Sequence, residues 1–71
     1  MKRESVKGST QIKEVGYDES TQTLEVKFRN RSVYQYDGVP SATHEALMAA
    51  PSMGGYFYQN IRDVFPYRRV E

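Results

Sequence analysis

The sequence predicts a small α+β fold: a three-stranded antiparallel β-meander packed on two short helices, followed by an extended C-terminal segment. Three observations predict it. Leu24, Val26 and Phe28 alternate with Thr23, Glu25 and Lys27, the period-two pattern of a half-buried strand. Arg29-Asn30-Arg31-Ser32 then makes a short polar break before a second strand-like run, Val33 to Tyr36, as a hairpin requires. Between Pro40 and Pro51, Ala42, Ala46, Leu47 and Ala50 recur at helical spacing.

Taken in order, residues 1–8 are polar and aperiodic and read as a flexible tail ahead of a single domain over residues 9–70. Gln11 to Tyr17 is the first strand. Ile12 and Val15 are out of step, and a bulge near Glu14 or Gly16 restores Val15 and Tyr17 to one face. Asp18 to Gln22 is a turn. In the hairpin, register decides the tyrosines. A loop of Asn30-Arg31 alone leaves Tyr34 and Tyr36 on the polar face beside Lys27 and Glu25. A loop of Arg29-Asn30-Arg31 sets Tyr34 opposite Val26 and Tyr36 opposite Leu24, in the core. Gln35 would be a poor core residue, which favours the second register.

Asp37-Gly38 turns the chain into a helix that Pro40 starts and that Ser41 or Thr43 can cap. Pro51 stops it. Tyr56 to Arg62 is a second helix with Phe57 and Ile61 on its buried side. Pro66 forces an extended end that can dock as an edge strand. The expected core is Val15, Leu24, Val26, Phe28, Val39, Ala46, Leu47, Phe57 and Ile61, joined by Tyr36 and Tyr67.

The totals narrow the function classes. Seventy-one residues with a net charge of +1 make one domain without a strong field for nucleic acid. With no cysteine, packing alone must hold it. No apolar run approaches membrane-spanning length, and no apolar stretch follows Met1 to Ser5 as in a secretory signal, so a cytoplasmic domain is expected. His44 is a lone histidine expected on the surface, with no partners for a metal. Nothing positions an acid or an oxyanion hole around Ser52 and His44, so neither a catalytic role nor a cofactor is expected.

Several motifs in order resemble the KTSC family: Ile12 and Gly16-Tyr17-Asp18, Leu24 to Phe28, Val33-Tyr34-Gln35-Tyr36-Asp37-Gly38-Val39-Pro40, Ala50-Pro51-Ser52-Met53-Gly54, Tyr56-Phe57, Ile61-Arg62 and Pro66-Tyr67-Arg68. The resemblance runs from about Ser9 to Val70. The family is named for its place at the C-terminus of some lysyl-tRNA synthetases and also occurs as a free-standing bacterial protein. What the resemblance implies is a non-catalytic module whose role is unknown, with RNA, and tRNA in particular, as the associated ligand. The chain departs from the family pattern at Arg31, where glycine is usual, at Met53, where a basic residue is common, and at Tyr58, where asparagine is common.

Two candidate surfaces follow. Tyrosines among cations are how single-stranded RNA is held, with Tyr34, Tyr58 and Tyr67 to stack and Arg62, Arg68 and Arg69 for phosphates. The ordinary alternative is that the tyrosines fill the core and the arginines are solvated. Ser52, Gly54 and Gly55 precede a helix and offer backbone donors for an anion. The ordinary alternative there is a serine cap. The competing function is a protein-interaction module that uses the exposed sheet face or an edge strand.

Overall fold

The computed structural model describes residues 3–6 and 11–71. Its core is one antiparallel sheet of five strands in sequential order: β1 (Arg3–Ser5), β2 (Ile12–Asp18), β3 (Thr23–Phe28), β4 (Val33–Tyr36) and β5 (Tyr67–Arg69). Helix α1 (Ser41–Ala49) and helix α2 (Met53–Phe57), which runs on into a π-helical turn (Tyr58–Arg62), lie between β4 and β5 in the chain. The expected meander is therefore its centre, β2 to β4, and a short strand is added at each edge.

The strand at the first edge corrects the flexible-tail expectation for the part of it that is described. Arg3–Ser5 pairs with Gly16, Val15 and Glu14, the Val6 amide donates to the Lys13 carbonyl at 2.8 Å, and Val6 is buried. The remaining tail positions, 1, 2, 7 and 8, lie outside the described residues. The β1 pairing is held by backbone bonds and an ion pair, so it carries no hydrophobic period to read. The expected edge docking of the C-terminal segment is observed, with Tyr36 opposite Tyr67 and Tyr34 opposite Arg69.

The β2–β3 register shifts between Ile12 and Glu14, and this irregularity brings Ile12, Val15 and Tyr17 opposite Phe28, Val26 and Leu24. The hairpin takes the three-residue loop, so Val26 faces Tyr34 and Leu24 faces Tyr36. Arg31 holds the left-handed position at φ +72°. The Asn30 Oδ1 braces the loop by accepting from the Ser32 amide at 3.0 Å and its hydroxyl at 2.5 Å. At the preceding turn, Asp18 Oδ1 accepts from the Ser20 hydroxyl and amide, and that hydroxyl bond leads in holding the carboxyl below its usual range.

Four expectations about packing need correction. Pro40 is the N-cap of α1, with no side-chain cap from Ser41 or Thr43. Ala46 is exposed. The helix leans on the sheet through Leu47, with Thr43, His44 and Met48 half-buried, a face turned about 150° from that of Ala42 and Ala46. Tyr67 is 59% exposed, because no helix covers the edge strand it sits on. His44 is half-buried, its ring stacked on Tyr17 at 4.6 Å, while the Tyr17 hydroxyl donates to the Val39 carbonyl at 2.5 Å. Ile12 and Val33, absent from the expected core, are fully buried, and Phe28 packs against the core from its edge.

Replacing Arg31 by glycine removes the steric cost of a side chain at positive φ. Arg31→Gly is expected to stabilise the domain by about 1 kcal/mol, a rise of roughly 5 °C in thermal midpoint for a chain this size. An unchanged midpoint in a melting experiment contradicts that account of the hairpin.

Candidate functional site

The register that buries Tyr36 also builds a groove. Tyr34 and Tyr36 share the β4 face that looks toward α2, and Tyr67 lies beside them on β5. Phe28 comes from the end of β3, and Phe57 from α2. These rings close a cycle. Phe28 meets Tyr34 at 5.8 Å, Tyr34 meets Tyr67 at 5.8 Å, Tyr67 meets Tyr36 at 5.6 Å, Tyr36 meets Phe57 at 5.3 Å, and Phe57 returns to Phe28 at 5.6 Å. Three of these contacts are edge-to-face, the arrangement that ring quadrupoles favour. Tyr58 extends the cycle outward from Phe57 at 5.9 Å.

Above this floor lies an open cavity of about 480 Å³, within the size range of small-ligand clefts. One wall is the β3–β4 hairpin with Arg29 and Asn30, and the other is the π-helical turn with Tyr58, Arg62 and Asp63. The π-helical turn keeps Phe57 and Ile61 inward while Tyr58 and Arg62 stand outward, and the Arg62 guanidinium lies 4.9 Å over the Tyr58 ring.

Tyr36 is only 3% exposed, and burial pushes the pKa of its hydroxyl up to about 12. Tyr67 acts in the same direction, Arg62 opposes it, and Tyr34 and Tyr58 add smaller upward effects. The folded state thus prefers neutral Tyr36. That stabilisation is complete below pH 10, where folded and unfolded chains are both protonated. It is lost as pH climbs toward 12, because only the unfolded chain has released the proton.

The structure divides the expected site. Tyr34, Tyr58, Arg62 and Tyr67 meet in the groove. Arg68 does not, since strand alternation turns it to the other sheet face, where it pairs with Asp37 at 2.6 Å and donates to Gln35 at 2.7 Å. Arg69 shares the Tyr67 side of β5 but lies outside the groove lining, and its Nε donates to the Glu71 carbonyl at 2.9 Å. At the expected anion site, the Ser52 hydroxyl accepts from the Gly55 amide at 3.2 Å, the N-cap of a five-residue helix. Serine capping is therefore what the geometry shows there. Phe28, Phe57, Asn30 and Asp63 line the groove without having been anticipated as site residues. Phe57 is a core residue and Phe28 packs against the core from its edge, and both also reach the groove.

Among the described residues no group of three or more histidine, cysteine or acidic side chains is arranged to hold a metal, and no helix is long and apolar enough to cross a membrane.

The KTSC domain family profile matches residues 8–65. A lysine–tRNA ligase of Trichormus variabilis is 44% identical over 59 residues, covering 83% of this chain and 10% of the ligase. An uncharacterized protein of Stutzerimonas stutzeri is 39% identical over 59 residues, covering 83% of this chain and 82% of that protein. The crystal structure of a KTSC domain protein from Yersinia pestis matches with a TM-score of 0.94 at 37% identity, covering 99% of this chain and 97% of that one. The chain thus spans about a tenth of the length of the ligase it matches and most of the other two proteins.

The burial of Tyr36 sets a pH test. Between pH 10 and 12 the domain is expected to lose up to about 3 kcal/mol through this group, and Tyr36→Phe flattens that part of the stability curve. Denaturant unfolding at stepped alkaline pH reads it, and identical slopes for the two proteins contradict the burial of the hydroxyl.

Proposed function

The chain belongs to the KTSC family, and we propose that it is a non-catalytic binding module for single-stranded RNA, with tRNA as the natural class. The observation that supports this most is the pair of exposed rings at the groove, Tyr67 at 59% and Tyr58 at 40%, with Arg62 seated over Tyr58. Exposed aromatic faces beside guanidinium groups are the means by which unpaired bases and their phosphates are held. The lysine–tRNA ligase among the relatives acts on tRNA by its name, which is why tRNA is the class proposed. This activity belongs in the cytoplasm.

A protein partner is the competing reading, favoured by one observation: every residue of the edge strand β5 is exposed. Strand addition there would use backbone bonds and would respond little to salt. The opposite sheet face offers less to such a partner. There Arg3 pairs with Glu14 and Glu25, Gln35 donates to Glu25, and Arg68 joins Gln35 to Asp37, so these charges are engaged with one another.

Two arginines line the groove, Arg29 and Arg62. Two phosphate contacts to a single strand give a slope of about −1.4 in log affinity against log salt, far shallower than that of a strongly basic binder. Titration of labelled tRNA at several salt concentrations is expected to give that slope, halved in Arg62→Ala. Absence of binding at low salt, or binding indifferent to salt and to Arg62, would turn the reading toward a protein partner.

A further inference from the structure

We infer that the groove holds one unstacked nucleobase of an RNA strand, laid on the open face of Tyr67, with the adjoining phosphate at Arg62. The inference rests on the RNA reading above and specifies its site. Tyr67 is braced from one side by Tyr34 and Tyr36, whose rings meet it at 54° and 37°, and it remains the most exposed ring of the groove. A braced, exposed ring costs little further ordering when a base stacks on it. Tyr34, Tyr36, Tyr58, Arg62 and Tyr67 all line the same cavity.

Shape and charge choose the ligand. The hairpin and the π-helical turn wall the cavity on two sides, so a base must leave its stack to reach the aromatic floor. A duplex, whose bases stay stacked, cannot offer one without paying to unstack it. Arg62 stands at the cavity wall with its guanidinium over the Tyr58 ring, which suits a phosphate attached to a planar base. A purine, with the larger stacking face, is preferred.

The chain has no tryptophan, so the stacking is readable without interference from an indole. The probe is a single-stranded ribohexamer with one 2-aminopurine, titrated into the whole chain, beside the same hexamer in a duplex and bulk tRNA. The expected result is binding with strong quenching of the 2-aminopurine, and neither with the duplex. Tyr67→Ala weakens binding about ten-fold or more and relieves the quenching, whereas Tyr67→Phe keeps both. Tyr67 is exposed, so its variants keep the fold, which an amide NMR spectrum verifies. Unquenched binding of the hexamer, or equal affinity in Tyr67→Ala, overturns the single-base site and leaves RNA binding standing. Binding of tRNA without the hexamer also overturns it, in favour of recognition by RNA shape. If neither RNA binds, both readings fall.

Discussion

Phe57 is the contact on which the other parts depend. It is 1% exposed and the largest side chain fully removed from solvent. Its ring is wedged between Phe28 of β3 and Tyr36 of β4 and is the one fully buried side chain of a five-residue helix, with Met53 and Tyr56 packed against the core beside it. A helix that short has little stability of its own, and tertiary burial must hold it. Once Phe57 is seated, Tyr58 and Arg62 are carried out over the groove and Ile61 is carried into the core. The same ring therefore closes the hydrophobic interior and forms part of the floor of the candidate site.

The other face of the sheet solves a different problem. Arg3, Gly16, Glu25, Gln35 and Arg68 form one cross-strand row through all five strands. Gly16 has no side chain, so the Arg3 guanidinium reaches across β2 to lie 3.4 Å from Glu25. Gln35 continues the row by donating to Glu25, and Arg68 by donating to Gln35. The exposed Arg68–Asp37 pair at its end stabilises little by itself. The larger effect of these contacts is on register and on the edges: they tie β1 and β5 to the sheet and place charge where a bare apolar edge would invite pairing with another chain.

Much of this was legible in the sequence, and the failures have physical reasons. Leu24, Val26 and Phe28 announced the central strand because only one of its faces is buried, and Gln35 decided the tyrosine register because its amide needs polar company. Residues Arg3–Ser5 announced nothing, since an edge strand paired through backbone bonds and a salt bridge has no apolar period. Ala46 was misplaced because alanines cannot mark a buried face as Leu47 can. Within the candidate site, Tyr58 and Arg62 were expected separately, for stacking and for phosphate, and their four-residue spacing on one turn brings them together. Arg68 was grouped with Tyr67, although the alternation of an extended segment sends adjacent side chains to opposite faces. The closed ring of aromatics was not legible at all, because it joins five residues drawn from four elements, and only the tertiary fold brings them together.

The most direct test of this account is the stability of Phe57→Ala, measured by denaturant unfolding and amide NMR. Loss of a fully buried phenylalanine typically costs about 3–5 kcal/mol. In a domain this small that is most of the total. The account predicts a chain largely unfolded at room temperature, or one in which α2 and the π-helical turn have come away from the sheet. A folded variant within about 1 kcal/mol of the parent, with the signals of Tyr36, Tyr58 and Arg62 unmoved, would contradict the claim that this one ring holds core and groove together.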